Sequence, residues 1–266
     1  MSFRTRLTIC NITVNKNLHK QALLRLGDDA LVLAQRLGEW CGHAPALEED
    51  IALTNIALDL IGQAQSYLTL AGSLDQDTPK SDDELAFLRT DKEFQNLLLL
   101  EQSNGDFGDT IARQFLFDKF ALLRAEHIAQ QTFDLDAAAV AEKAVKEIRY
   151  HADHSSKWIL RLGDGTQESH SRIQQSLNNF WKFTGEMFAA DEVDIAGAAS
   201  GLLPDLSTMK VKWDSYINEI LEKATLVRPE DGLMQTGGRK GVHTDELGIM
   251  LTEMQVLQRT HPGASW

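Results

Sequence analysis

Cysteine is nearly absent: Cys10 and Cys41 are the only two. They are too few and too far apart for a disulfide framework or a zinc cluster, and a reducing cytoplasm suits such a chain. Proline is almost as scarce, with none between Pro79 and Pro204, so residues 80–203 lack the strongest helix breaker. No run of about 18 apolar residues occurs, so no membrane span is expected. Polar residues interrupt positions 1–17 before the apolar core of a secretory signal can form. Basic charge is also in deficit: 26 Lys and Arg face 39 Asp and Glu, a net charge of −13, which disfavours nucleic acid and anionic lipid as partners. The nucleophile elbow, the dinucleotide fingerprint and the P-loop are all missing, and no internal repeat suggests a solenoid.

What the sequence does contain is helical periodicity in a globular composition, 43% hydrophobic and 24% charged. Leu23, Leu26, Ala30, Ala34, Leu37 and Cys41 recur at three and four, predicting a helix over 17–41 with Gly27 as a point of weakness. The turn Gly42–Pro45 ends it. Residues 47–71 open with Glu48, Glu49 and Asp50, favourable at a helix N-terminus, and are then apolar on nearly every side, as a central helix would be. Ser81 and Glu84 form a capping-box pattern for a short helix to Leu88. Further helices are predicted over 106–130, 136–162, 167–189, 207–226 and 244–260. Leu97–Leu100 is too isolated to build a sheet, and Phe180, Trp181, Phe183, Met187 and Phe188 read as core. The expected fold is all-α, a four-helix bundle with additional C-terminal helices.

Bundles of this size often hold two iron ions, using a Glu from each of two helices and Glu-x-x-His from each of the other two. Four carboxylates offset the metal charge, and imidazoles complete coordination while leaving positions open. The eight histidines are preceded at three residues by Lys16, Trp40, Arg124, Ile148, His151, Gln167, Lys240 and Gln258, none of them acidic. The second long helix has Asp59, but Gly62 stands where its histidine would be. What remains resembles an eroded site: Glu39 with His43, Asp59, Asp109 or Asp118, and Glu147 with His151, the last pair sharing one helix face. Plainer roles are open to each: Glu39 as a final-turn residue, His43 as a loop residue, Glu147 and His151 as a surface pair. Buried carboxylates without iron would need cations, and Arg113, Lys146 and Arg149 lie close in sequence. A divergent di-iron oxygenase using Glu39, Asp59, Asp109, Glu147 and His151 is the alternative.

Residues 236–244, T-G-G-R-K-G-V-H-T, form a basic glycine-rich loop leading into a helix. Its backbone amides, with Arg239, Lys240 and His243, suit either a plain surface or a contact between subunits, or else an anion such as a coenzyme A phosphate or a partner carboxylate. The run 97–107 reads as core plus turn or as a partner contact.

Several stretches together resemble one family. LRLGDDALVLAQRLGEWCGHAP (24–45), LTNIALDLIGQA (53–64), NLLLLEQSNGDFGDTIARQFLFD (96–118), KEIRYH (146–151), LGDGT (162–166) and TGGRKGVHTDELGIMLTEMQVLQR (236–259) are similar to the C subunits of 1,2-phenylacetyl-CoA epoxidase. The resemblance implies a ferritin-like domain over 21–266 behind an N-terminal extension, 1–20. It also implies a cytoplasmic multicomponent monooxygenase of phenylacetate catabolism that inserts one atom of dioxygen into the ring of phenylacetyl-CoA. In that family the di-iron centre lies in the homologous A subunit, and a reductase supplies electrons from NADPH. The C subunit is a structural companion in the hetero-oligomer, with no catalytic residue, metal or cofactor of its own.

Overall fold

The computed structural model describes residues 15–264 apart from Gln76 and Thr132. The described residues form helices and no strands: α1 Lys16–Gly38, α2 Leu47–Ser73, α3 Asp82–Phe87, α4 Leu98–Glu101, α5 Phe107–Ile128, α6 Leu135–Gly163, α7 Gln167–Trp181, α8 Glu192–Ser200, α9 Leu206–Lys223 and α10 Asp245–Thr260. Two long hairpins, α1 with α2 and α5 with α6, make a ferritin-like bundle closed by α2 against α6. A crossover carrying α3 and α4 joins them. The later helices are outworks: α7 and α9 lie on α5 and α6, α8 on α1, and α10 on α3. Residues 16–20 are the opening of α1, and residues 1–14 of the expected extension lie outside the described residues.

Helix ends follow local chemistry. The expected capping box at Ser81 and Glu84 is present, and Asp106 with Asp109 makes another that starts α5. Helix α1 ends at Gly38, short of the periodic pattern, because Trp40 and Cys41 donate to carbonyls only three residues back and the Gly42 amide is taken by Asp50. The helix predicted over 167–189 is two pieces, α7 and a tighter 3₁₀ turn at Thr184–Phe188. The unpredicted α8 is capped by Asp191 and stopped by Gly201 in the left-handed region. Leu97–Leu100 is fully buried crossover, with α4 a single turn at its end. The aromatic cluster is core, as expected: Trp181 and Phe188 pack on Trp213 at ring separations of 5.8 and 5.3 Å.

Helix α2 is not the wholly central helix that its apolar sequence predicts. Leu53, Ile56, Leu60, Ala64 and Leu68 are buried, but Leu47, Ile51, Leu58 and Ile61 are 49–73% exposed. Helices α1, α6 and α3 pack against it and leave this stripe open.

Gly27 does not break α1. A Cβ there would lie 2.7 Å from Leu68 Cδ2 on α2, so the glycine permits close approach of the two helices. Gly27→Val is therefore expected to destabilise the fold by about 2 kcal/mol, as overpacking outweighs the gain in helix propensity. Urea unfolding measures this, and an unchanged midpoint would show that the contact is not constraining.

Candidate site in the bundle interior

The interior space of the bundle is a cavity of about 30 Å³ lined from all four long helices. That is the scale of a water molecule or two and far below an acyl thioester. At residues three apart, α2 presents Leu60 and Gln63 and α6 presents Ile148 and His151, which is the spacing at which Glu-x-x-His would face inward. Helix α1 contributes Asp29, and α5 contributes Asp118 and Arg124.

Asp29 is the most constrained of these. Its oxygens accept from Arg239 Nη1 and Nη2 at 2.9 Å each, from Arg124 Nη1 at 2.9 Å, and from the Leu97 amide at 3.0 Å. Burial alone would raise its pKa, but the guanidinium groups of Arg239 and Arg124 overcome that and hold the carboxyl below the usual range. Asp118 is the opposite case. Burial pushes it up to about 8, against the Ser155 hydroxyl that donates at 2.8 Å and the charge of Arg113, so near neutral pH it is largely the neutral acid. His151, 1% exposed, has its pKa lowered by burial despite Asp59, whose Oδ2 lies 3.1 Å from Nε2.

These residues do not fit a pair of iron ions. Two of the inward positions are Leu60 and Ile148, the Asp29 carboxylate is already neutralised, and Arg124 places a fixed positive charge on the cavity wall. Among the described residues, no three His, Cys, Asp or Glu side chains gather as a metal site.

The sequence-derived candidates are scattered. Asp59 and His151 do meet, and Glu147 accepts from Gln63 Nε2 at 3.0 Å on the same α2–α6 seam. Glu39 is the cap residue after α1, tied to Arg36 at 3.0 Å and Asn104 at 2.9 Å, and His43 is an exposed loop residue. Asp109 is occupied in the capping box of α5. The five positions therefore build no common site, because α1 ends before Glu39 and α5 begins too close to Asp109 for either to reach mid-bundle.

The cations expected to neutralise buried carboxylates are also different ones. Lys146 is exposed and Arg149 meets Glu126 at the surface. Arg113 is buried, but donates to the Gln102 carbonyl and Asn104 Oδ1, each at 2.6 Å. Burial lowers its pKa to about 9. The work falls to Arg89 on Asp28, Arg124 and Arg239 on Asp29, and Arg25 on Asp191 and Asp194. A signal for them existed: Asp29 follows Leu26 by three within the apolar stripe of α1, and Arg124 sits within an apolar α5.

Loop 236–244 does bind anions, but they are the protein's own. Glu186 Oε1 accepts from the amides of Gly237 and Gly238 at 2.8 Å, and its other oxygen accepts from Leu98 at 2.7 Å. Glu101, fully buried, takes the Thr244 amide at 2.7 Å and His243 Nδ1 at 2.7 Å, while His243 Nε2 lies 3.0 Å from the Phe94 carbonyl. Although burial opposes it, the contact with Glu101 raises the His243 pKa. Arg239 and His243 are thus internal struts and not an external anion site; Lys240 alone of the three is exposed. Gly241, at φ 71°, sits where a Cβ would lie 2.2 Å from the Lys92 carbonyl oxygen, so the loop is pressed onto the crossover.

Removing one partner from a buried ion pair is costly. Arg239→Ala should lower stability by about 3 kcal/mol and open loop 236–244 to proteolysis; wild-type unfolding and cleavage patterns would show that the strut is dispensable. Because the folded-state pKa of Asp118 lies above its ordinary value of 3.8, the folded state binds the extra proton between about pH 4 and 8. Stability from this group therefore falls as pH rises through that window. Asp118→Asn should flatten the decline, which is at most about 1.4 kcal/mol per pH unit; an unchanged pH–stability profile would mean that Asp118 ionises normally.

The family profile described as "Phenylacetic acid catabolic protein" matches residues 10–266. The chain is 49% identical over 247 residues to the C subunit of the 1,2-phenylacetyl-CoA epoxidase of Escherichia coli (strain K12), covering 91% of this chain and 97% of that protein. With the ferritin-like bundle already evident, the match over nearly its whole length places this chain in the phenylacetic acid catabolic protein family.

Proposed function

We propose that this chain is the structural, non-catalytic subunit of a cytoplasmic phenylacetyl-CoA 1,2-epoxidase, binding and stabilising a di-iron catalytic A subunit in aerobic phenylacetate breakdown. The observation that carries this reading is the donor set of the bundle interior. Leu60 and Ile148 occupy inward positions, and Arg124 and Arg239 saturate Asp29, so guanidinium groups tie the helices together at the place where a ferritin-like oxygenase needs carboxylates. The Escherichia coli relative is one subunit of an epoxidase, which supports membership of a multi-subunit assembly. Oxygen chemistry then belongs to the partner, with a reductase delivering electrons from NADPH. A partner that binds only the folded form of the catalytic subunit lowers the unfolded population of that subunit by mass action.

Iron should be negligible per chain both when the protein is expressed alone and after separation from a co-expressed catalytic subunit, as elemental analysis would show. About two irons per chain would make this a catalyst and overturn the reading. The catalytic subunit should also melt several degrees higher in the presence of a stoichiometric amount of this chain; an unchanged melting temperature would remove the stabilising role.

A further inference from the structure

The outer face of α2 exposes four large aliphatic side chains among neutral Asn55, Gln65 and Thr69, where a solvated helix would carry charges. Leu47, Ile51, Thr54, Leu58, Ile61 and Gln65 follow one another at alternating spacings of four and three, the seam pattern of helices that pack along one another. Leu47 is 73% exposed, Ile51 54%, Leu58 59% and Ile61 49%. From Ile51 to Leu74 the only charged residue is Asp59, and its carboxylate is engaged by His151. Helix α6 beside it shows the ordinary alternative, with Lys143, Arg149, Asp153 and Lys157 outward. Gly62 adds a flat spot, since nothing lies within 4 Å of where its Cβ would be. Leu47, Ile51, Leu58 and Ile61 together expose on the order of 400 Å² of surface, within the range of the largest apolar patch on a monomer and about half of one partner's share in a standard interface.

The face is also held in place from behind. Glu49 accepts from Trp158 Nε1 at 2.9 Å and lies 2.8 Å from His154 Nε2, Asp59 meets His151, and Gln63 donates to Glu147. These contacts fix α2 against α6 along its length, so little ordering remains to be done on docking.

We propose that this face of α2 is the surface on which the catalytic subunit docks, through an apolar helix face with Lys or Arg opposite the first turn of α2. The identity of the partner rests on the structural-subunit reading above; the location and chemistry of the surface rest on α2. A second copy of this chain suits the stripe poorly. Two α2 helices side by side in parallel would set Glu48 against Glu48, and in antiparallel they would set that acidic turn against the negative C-terminal end of the other helix. Each copy also carries a net charge of −13. A basic edge on a different chain meets the same acidic turn favourably.

The test measures the affinity of the full-length chain for the purified catalytic subunit. Leu58→Glu combined with Ile61→Glu should weaken binding by at least about 30-fold with no change in melting temperature, since both side chains already face solvent. Leu58→Ala with Ile61→Ala should weaken it less, in the same direction. Ile249→Glu with Val256→Glu, on the exposed apolar face of α10, should bind as the wild type does. Wild-type affinity in the α2 variants would overturn the docking surface while leaving the structural-subunit reading intact, as would an equal loss in the α10 variant. Failure of the wild-type chain to bind the catalytic subunit would instead overturn the structural-subunit reading, and the docking assignment with it. A wild-type homodimer that the α2 glutamates dissolve, with binding of the catalytic subunit unchanged, would assign the stripe to a second copy and overturn the proposal.

Discussion

A single carboxylate, Asp29, holds the architecture to its register. It joins α1 to α5 through Arg124, to loop 236–244 through Arg239, and to the crossover through the Leu97 amide. Each link alone would be an expensive burial of charge, but the set satisfies the acceptor on every side, the condition under which buried ions are tolerated. Glu186 and Glu101 repeat the pattern nearby, collecting the amides of Leu98, Gly237, Gly238 and Thr244. Three acids thus fasten the C-terminal loop onto a bundle whose hairpins it never enters.

This arrangement clarifies what the bundle interior can do. A catalytic metal pair binds helices together through carboxylates and imidazoles and keeps coordination positions open for exchange. Guanidinium groups supply the cross-link without open coordination, and Leu60 and Ile148 seal the remaining wall. Asp118, held as the neutral acid, and His151, whose charge is suppressed by burial, remove two further charges from the cavity near pH 7. The result is an interior cross-linked by ion pairs, with the polar α2–α6 seam outside it and the exposed aliphatic side chains of α2 beyond.

Much of this was legible in the chain itself. Periodicity and proline scarcity gave the long helices, and Ser81 and Glu84 announced α3 by a purely local exchange of hydrogen bonds. The inward-facing residues were less legible. Glu39 looked suitable because its helix was expected to run to Cys41, and turn hydrogen bonds at Trp40 and Cys41 end it sooner; Asp109 lies in the helix expected for it, but its side chain is taken up by the capping box with Asp106. The apolar sequence of α2 implied burial all round, since composition cannot say which sides neighbours will cover.

The division follows the range of the forces. Helix formation and capping act within about a turn, so the sequence by itself determined the all-helical content and the main breaks. Charge pairing acts wherever the fold brings residues together: Asp29 and Arg239 are 210 positions apart, and nothing local distinguishes Arg239 as a strut from Arg239 as an anion-binding loop residue. Only the tertiary structure decided which cations meet which carboxylates and which face of α2 is left uncovered, because both depend on packing between distant segments.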